Sequence, residues 1–498
     1  MRYNVFGQKT KPRKEDTLMD FIVPLLEDLG MAFVEIGATF IDHLDQFDKM
    51  EIETKELTNK AAARFVEGML NYADALLCQS GKRKGSYDIQ RHRQRELVTT
   101  VGDINFTHTV FKNKETGENV CLLDKAIKLP PHERFSAPAE AKVLSEAEVH
   151  SYQHAADALA VGDQKVSKVA VMEKVHGIRE AFPDEDAPEE KKAVEHLYIE
   201  ADEDHIHRQK YGEEQPGSFM GKLVYLFEGK EDVCEGRCRL ISPHYHGGLY
   251  PGRDENAALW SEVQRYIEKH YDEDLLKCVY ISGDGASWIK TGVDYVDKSV
   301  FVADRYHLMQ YINRVSKLVL DDEKWVKQRF YKYIYTNNLL AAKKMLTRIQ
   351  NSSGRDDVVE EVRSYLVGNW EAIHRAFKDK NVLGCSAEGH VSNVYADRMS
   401  SRPMAWVEDG CDSMCRLRCF VRNNGREKII DLVKYRREMA MADQVATGTD
   451  GMIEKSQVKR KYTRDQLITA AYEERMRVTL EGLTVRKTLA IREQINNI

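Results

Sequence analysis

Residues 255–285 read ENAALWSEVQRYIEKHYDEDLLKCVYISGDG, an amphipathic helix followed by a short apolar strand. In the first half, apolar residues recur three and four positions apart, and the run at 278–281 has the length of a buried strand. An earlier apolar segment, 197–201 (LYIEA), ends at Asp202. A helix before the later strand favours a parallel crossover beside the earlier one. The sequence therefore predicts an α/β core in which these two strands are neighbours.

Three more apolar segments complete the predicted sheet, at 223–227, 239–246 and 299–303. The links between the first three strands are short, which favours antiparallel neighbours. The resulting order, β-β-β-α-β-α-β, is that of ribonuclease H-like folds. Residues 304–380 have an almost wholly helical pattern and are predicted to be an insertion in this mixed-sheet core.

Two carboxylates follow the neighbouring strands, Asp202 and Asp284. The carboxyl ends of parallel strands form the ligand-binding edge of an open α/β sheet. Two carboxylates that meet there repel each other unless cations lie between them, and oxygen ligands suit Mg²⁺. The pair therefore predicts two Mg²⁺ (or Mn²⁺) ions, with Asp202 bridging both and Asp284 holding one.

A third acid is expected from a helix beside the sheet. Residues 386–403 (SAEGHVSNVYADRMSSRP) fit, because Ser386 is a possible N-cap, Glu388 lies in the first turn and Pro403 ends the helix. Helical spacing places four side chains on one face, namely Glu388, Ser392, Tyr395 and Met399. Glu388 is therefore predicted to point toward the edge of the sheet.

Other acids compete for these roles. Glu200 and Asp204 alternate with Asp202 along the strand, and Asp202 is favoured because it lies at the predicted strand end. Asp304, in the string DRYH, is the rival for the third acid. His307 in the same string has two interpretations, orientation of the site or packing at a helix start. Any one acid is more often solvated surface, so the prediction depends on three acids on suitable elements.

The segments 151–161 and 166–177 predict two short helices, each beginning at a serine cap and joined by a glycine-containing turn. This pattern is typical of a helix-turn-helix, whose second helix enters the major groove of DNA. An ordinary α-hairpin explains the pattern equally well. In the first interpretation the DNA contacts are Lys165, Ser167, Lys168 and Lys174.

The net charge of −6 hides three basic segments, 82–95, 416–437 and 455–464. Such segments commonly bind polyanions, although solvated surfaces have the same composition. Further DNA contacts are predicted at Arg398, Arg402, Lys459, Arg460 and Lys461.

The chain has no run of about eighteen apolar residues and no apolar segment after its basic start, so neither a membrane span nor secretion is expected. Nine cysteines without regular pairing indicate a reduced, cytoplasmic protein. Zinc is an alternative for one group with suitable spacing, against ordinary core thiols and surface histidines. That group consists of Cys234, Cys238, His244 and His246.

The N-terminal third begins with helical patterns over 15–79 and a basic loop at 81–88. Alternation over 104–110 and a turn at 113–119 then predict a β-hairpin. The predicted domains are an N-terminal helical region (1–90), a β-hairpin region (91–140), the helix-turn-helix and linker (141–190), the first part of the core (191–303), the helical insertion (304–380), the last part of the core (381–445) and a basic helical tail (446–498).

Four strings make a family resemblance specific: YIEADEDHIHRQ (198–209), ISGDGASWIK (281–290), VADRYHLMQYINRV (302–315) and CSAEGHVSNVYADRMSSRPMAW (385–406). They resemble those of ISLre-type bacterial insertion-sequence transposases, a group distantly similar to Mutator-like transposases. The resemblance runs across nearly the whole chain.

This resemblance implies a DDE transposase whose triad is Asp202, Asp284 and Glu388. It implies double-stranded DNA as partner, with terminal inverted repeats and target DNA as substrates, and a homo-oligomer on paired ends, associated with the nucleoid when bound. Water attacks the phosphodiester at the element end, and the released 3′-hydroxyl attacks the target. Two alternatives stay open: a non-catalytic helix-turn-helix DNA-binding protein, and a ribonuclease H-fold nuclease that cuts without joining.

Overall fold

The chain forms two compact units in the computed structural model. One contains the described residues up to 183 together with 426–447, and the other runs from 184 to 425. The predicted contacts Lys459, Arg460 and Lys461 lie outside the described residues. No described helix is both long and apolar enough to cross a bilayer. The structure describes residues 14–162, 164–179, 182–210, 217–234, 237–319 and 322–447.

The first unit has two long helices, an antiparallel sheet of order β1-β2-β3 and a group of short helices. Its elements in chain order are α1 (Lys14–Asp42), α2 (Phe47–Gln79), α3 (Gly81–Ser86), β1 (Tyr87–Thr99), β2 (Gly102–Asn113), β3 (Asn119–Cys121), α4 (Leu122–Ala126), α5 (Ala137–Val149), α6 (Tyr152–Leu159) and α7 (Lys168–His176).

The hairpin differs from its prediction. Its main turn lies at 100–101, between β1 and β2, and the predicted turn at 113–119 leads only to the three-residue β3. The basic segment expected to be a loop forms α3 and the start of β1. Residues 88–94 of β1 are exposed on both faces, so the alternation that marks a half-buried strand is absent there. The apolar face of β2 is buried as predicted.

The free edge of β2 is covered by side chains of α2. Three of them accept hydrogen bonds from alternate backbone amides: Glu67 from Asn105 (3.0 Å), Asn71 from Thr107 (2.7 Å) and Asp74 from Thr109 (2.9 Å). The spacing of these side chains along α2 is close to that of the amides along β2, because three or four helical residues rise about 4.5–6 Å and two strand residues rise about 6.8 Å. The side chains of α2 thus satisfy amides that would otherwise be free for a further strand.

The predicted pair of short helices is present as α6 and α7, which pack together and against α5. Both serine caps are confirmed. Ser151 Oγ accepts from the amide of His154, and Ser167 Oγ accepts from the amide of Ala170. The serines thereby satisfy amides in the first turn that have no partner within the helix.

The second unit is a mixed α/β structure with many helices. Its elements are β4 (His196–His207), β5 (Ser218–Phe227), β6 (Gly229–Cys234), β7 (Arg237–Ile241), β8 (His244–Leu249), α8 (Arg253–His270), β9 (Cys278–Gly283), α9 (Ser287–Lys290), β10 (Ser299–Ala303), α10 (Arg305–Ser316), α11 (Glu323–Tyr335), α12 (Leu339–Ser353), α13 (Asp356–Gly368), α14 (Trp370–Lys378), α15 (Ala387–Val391), α16 (Asp397–Met399) and α17 (Glu408–Asn424).

The main sheet has the order β10-β9-β4-β5-β8. β4 and β9 are parallel neighbours, as predicted, and β10 is parallel to β9. β5 runs antiparallel to both β4 and β8. One face of β4, with Leu197, Ile199 and Ala201, packs in a buried core with Trp260 and Val263 of α8. That packing leaves the other face of β4 for polar side chains.

The predicted strand at 239–246 is wrong, because the structure divides it. Its first part belongs to β7, which pairs with β6 in a separate two-stranded sheet, and its last part belongs to β8 in the main sheet. Ser242 has a left-handed φ of 49°, and Pro243 follows it. Proline has no amide to donate to a strand ladder, so the break falls there.

The helices predicted for residues 304–380 are present as α10 to α14, which share a hydrophobic core. The chain then passes through α15, a π-helical turn (Ser392–Ala396), α16 and α17. It returns to the first unit as α18 (Ile429–Thr447), which packs against α5. Residues 381–445 are predicted to be the last part of the core, whereas in the structure the part from 426 onward belongs to the first unit.

Candidate active site

The register of the parallel strands aligns Asp202 with Asp284. The last parallel pair between β4 and β9 is Glu200 with Ser282. Asp202 lies two residues beyond Glu200, and Asp284 lies two residues beyond Ser282. Asp202 is within β4 rather than at its end, because β4 continues to His207 alongside β5. The two aspartates nevertheless leave the parallel part of the sheet at the same level.

A third aspartate reaches this edge from β10. Ala303 pairs with Gly283, and the amide of Asp304 donates to the Gly283 carbonyl at 2.9 Å. Asp304 is 7% exposed and caps α10, since its Oδ1 accepts from the Tyr306 amide at 3.0 Å. Its other oxygen, Oδ2, lies 2.8 Å from His307 Nδ1. The rival third acid of the sequence analysis therefore lies beside Asp284.

The charges at this edge influence one another. Burial, and then the nearby carboxylate of Asp284, raise the pKa of Asp202 to about 6, against a hydrogen bond from the Glu203 amide. The hydrogen bond to Asp304 raises the pKa of His307, and the carboxylates of Asp304, Asp284 and Asp202 add to that rise while burial opposes it. A cation is therefore stabilised where these acids meet.

The oxygen donors of the edge fit a hard divalent cation. Aspartate oxygens are the ligands that Mg²⁺ and Mn²⁺ prefer. The raised pKa of Asp202 reflects desolvation first and then repulsion by Asp284, and a bound cation would offset both. Asp202 and Asp284 are the carboxylates at this edge that could hold such an ion, with Asp304 adjacent.

The helical insertion contributes two polar groups that sequence reasoning missed. Gly285 has a φ of +99°, and a Cβ there would lie 3.0 Å from the side-chain amide of Asn369. Asn369 Oδ1 and the Tyr365 hydroxyl are buried without a hydrogen-bond partner among the described residues. Burial and the charges of Asp304 and Asp284 raise the pKa of Tyr365. No local motif marks either residue, since helical packing alone brings them to the edge.

Glu200 anchors the segment that carries Glu388. Glu200 is 2% exposed, and its side chain accepts from Lys230 Nζ at 2.9 Å and from the Tyr225 hydroxyl. It also accepts from the Ser386 amide at 2.7 Å and from Ser386 Oγ at 2.9 Å. Ser386 was predicted to cap the helix, but its hydroxyl donates to Glu200 instead. The start of α15 is therefore fixed to Glu200, which lies two residues before Asp202 on β4.

Glu388 lies at this fixed helix start with an exposed side chain. Its assignment as the third acid therefore stays a prediction.

The predicted common face of this helix is wrong. Ser392 is exposed like Glu388, whereas Tyr395 and Met399 are fully buried. The cause is the π-helical turn at Ser392–Ala396, because the extra residue of a π turn shifts the helical periodicity.

Two predicted DNA contacts are engaged within the protein. Lys174 Nζ pairs with Glu133 at 2.5 Å, and the lysine side chain is only 15% exposed. Arg398 is 6% exposed and its guanidinium lies 4.9 Å from the ring centre of Trp406. Both side chains therefore have partners within the fold, and their assignment as DNA contacts stays a prediction. Four others have exposed positions, namely Lys165, Ser167, Lys168 and Arg402.

The zinc alternative is not favoured by the structure. Cys234 and Cys238 are exposed, whereas His244 and His246 are largely buried and their rings contact Tyr266. Among the described residues, the groups of three metal-ligating side chains within reach of one ion all lie in the first unit. They are Asp74, Cys78 and His92; His108, Cys121 and Asp124; and Glu146, His150 and His154.

Several known proteins are similar to this chain. Two relatives from Caldanaerobacter subterraneus subsp. tengcongensis, both named only as UPF0236 proteins, are 33% identical over 374 residues and 31% identical over 427 residues. These matches cover 74% and 84% of this chain, and 77% and 84% of the relatives. The Drosophila P element transposase strand transfer complex aligns at a TM-score of 0.20 and 10% identity, covering 66% of this chain and 96% of that one. The model of UPF0236, described as an uncharacterised protein family, matches residues 42–436, and the chain belongs to this family.

Proposed function

We propose that this protein is a DNA transposase with a ribonuclease H-like core, which cleaves and joins element ends at a site formed by Asp202, Asp284 and Glu388. The observation that carries the proposal is the register of β4 and β9, which brings Asp202 and Asp284 to one edge of the sheet. The effect of the Asp284 charge on the pKa of Asp202 supports their proximity.

The sheet supports the assignment of fold. Three strands in an antiparallel run, followed by a helix and two parallel strands on the far side of β4, are the arrangement that the sequence analysis expects of a ribonuclease H-like core. The helical insertion follows β10 directly and rejoins the core at the segment with Glu388. Fold alone does not define an activity, so the proposed function depends on the acids at the edge of the sheet.

The reaction requires a divalent cation, two Mg²⁺ or Mn²⁺ ions in this proposal, held by Asp202, Asp284 and Glu388. When bound, such ions activate water and stabilise charge on the phosphodiester. Asp304 orients His307 by the hydrogen bond between Oδ2 and Nδ1, which also raises the pKa of His307, so the protonated form that would place a positive charge beside the reacting phosphate is favoured. Glu200 holds Ser386 and thereby positions Glu388 for its role.

The names of the relatives support a mobile element. One name joins eleven locus labels of a single organism, and others join four and two. A protein that recurs at many positions of one genome is what repeated insertion of a mobile element produces. If the protein were only a regulator or a nuclease, its function would not explain such repetition.

DNA recognition is assigned to the first unit. α6 and α7 form the helix-turn-helix, and Lys165, Ser167 and Lys168 at the start of α7 contact DNA. Terminal inverted repeats and target DNA are the substrates, and the protein acts as a homo-oligomer on paired ends, in the cytoplasm and on the nucleoid. Arg402, in the second unit, contacts the phosphate backbone of the DNA.

Cleavage and strand transfer test the proposal directly. Purified protein is incubated with Mg²⁺ and a duplex that contains the element end, and products are resolved by strand. The wild type should both cleave and join, and Asp284→Ala should lose both activities while still binding the duplex. Cleavage without joining favours the nuclease, and binding with neither activity favours the non-catalytic DNA-binding protein. Unchanged cleavage by Asp284→Ala would refute the site.

A further inference from the structure

A basic surface lies on the first unit outside the helix-turn-helix. The segment 82–95, KRKGSYDIQRHRQR, has six basic residues and one acid. It folds as α3 and the outer part of β1, an edge strand of its sheet. Residues 88–94 are exposed along both faces. Because these side chains are exposed, burial in a core does not explain the basic composition of the segment.

The arginines of this segment are of two kinds. Arg95 donates to Asp124 Oδ2 at 2.6 Å and to the carbonyls of Pro130 and Glu133 at 2.8 Å each, so its donors are used within the fold. By contrast, Arg91 and Arg93 are exposed and form no hydrogen bond or ion pair within the described part of the chain.

Arg91 and Arg93 lie on the same face of the β1-β2 hairpin. Arg91 pairs with Val110 and Arg93 with His108, and alternate residues of a strand share a face. Their Cα atoms are therefore about 6.8 Å apart. The single acid of the segment, Asp88, lies 3.4 Å from Lys114 Nζ and is thus already matched by a cation.

We propose that the Arg91–Arg93 surface, extended by exposed Lys82 and Lys84 of α3, binds the phosphate backbone of duplex DNA. This inference rests on the proposed function and names a second DNA contact of the same protein. Guanidinium groups form paired hydrogen bonds with phosphate, and unpaired cations in a row attract a polyanion. The surface contacts phosphates rather than bases, so its contribution is independent of sequence.

The test measures the affinity of the full chain for a short duplex of unrelated sequence, by fluorescence anisotropy over a series of KCl concentrations. Each phosphate contact contributes about 0.9 to the slope of log K against log salt. The double variant Arg91→Gln/Arg93→Gln should therefore lower the magnitude of the slope by about 1.8. Its thermal unfolding should match that of the wild type, because neither side chain has a partner in the fold.

Two matched variants complete the experiment. Arg91→Lys/Arg93→Lys keeps the charge and should keep most of the slope. Lys55→Gln/Lys60→Gln removes the same charge from exposed positions of α2 and should leave the slope unchanged.

The outcomes separate the two proposals. An unchanged slope for the arginine variant, while the wild type binds DNA, would overturn this surface and leave the proposed function intact. An equal loss of slope in the Lys55→Gln/Lys60→Gln variant would also overturn the proposed DNA contact, since the effect would then be one of net charge. Failure of the wild type to bind any duplex would overturn both proposals.

Discussion

The backbone amide of Asp304 donates to the carbonyl of Gly283 at 2.9 Å, which joins the ends of β10 and β9. Because Asp284 follows Gly283, this bond places two aspartates side by side at the edge of the sheet. The side chain of Asp304 also holds His307 through Oδ2, and this contact raises the pKa of His307. An aspartate considered only as a rival by sequence thus lies beside Asp284 at the edge of the sheet.

The raised pKa of Asp202 predicts a stability change with pH. In metal-free protein the folded state holds a proton on Asp202 up to a pKa of about 6, whereas the unfolded chain releases it near 4. Stability is therefore lost as the pH rises from about 4 to about 6, on the order of 1–3 kcal/mol. Asp202→Asn should remove this loss, with a higher Tm than the wild type at pH 8 and little difference at pH 4.

Thermal unfolding in chelator at both pH values checks this prediction. The exposed Glu388→Gln is the matched control and should follow the wild type at each pH. If Asp202→Asn lowers the Tm at pH 8, Asp202 is not a repelled carboxylate. Addition of Mg²⁺ should raise the Tm of the wild type and not that of Asp202→Asn.

Glu200→Gln should be destabilising. The change leaves Lys230 without its charge partner and weakens the bonds to Ser386, and breaking a buried pair costs about 3 kcal/mol. Urea unfolding measures the cost. The exposed pair of Glu231 and Arg239 gives the control, since Glu231→Gln should cost less than about 1 kcal/mol. Equal costs for the two variants would show that Glu200 is not an anchor.

Tyr365→Phe should separate stability from activity. The buried hydroxyl has no partner among the described residues, so its removal should raise stability by about 1 kcal/mol. If the hydroxyl serves the site, DNA cleavage should fall at the same time. Tyr280→Phe is the contrast, because the Tyr280 hydroxyl donates to Asp379 at 2.9 Å and its loss should destabilise the fold. Full cleavage by Tyr365→Phe would exclude a role for the hydroxyl.

Lys168 and Lys174 should have opposite effects although both lie on α7. Lys168→Ala should weaken DNA binding and leave the Tm unchanged, because the side chain is exposed. Lys174→Ala should lower stability by about 2 kcal/mol through loss of the pair with Glu133. Anisotropy and thermal unfolding on both variants provide the measurements. Loss of binding without loss of stability in Lys174→Ala would instead support Lys174 as a DNA contact.

The parallel strands and the positions of Asp202 and Asp284 could be predicted because their signals are local. An apolar run followed by an aspartate, with a helix of suitable length before the second strand, restricts the topology to few choices. The helices of the insertion were also predictable, since each has a strong 3.6-residue period. These features need no knowledge of distant contacts.

The remaining parts depend on contacts between segments far apart in sequence. β1 has no alternation because its outer half is exposed on both faces, and its strand state comes from pairing with β2. The π-helical turn changes which residues share the face of Glu388, and no residue pattern marks such a turn. Tyr365 and Asn369 reach the edge only through the packing of the insertion.

The side chains that α2 offers to β2 have a consequence for self-association. An unpaired strand margin is a template for pairing with another molecule, and acidic groups such as Glu67 and Asp74 occupy the amides on that side. The opposite margin of the sheet belongs to β1, whose arginines repel a like copy. The β1-β2-β3 sheet is thereby protected from forming fibrils by edge-to-edge pairing. Hydrogen bonds already made protect one edge, and charge protects the other.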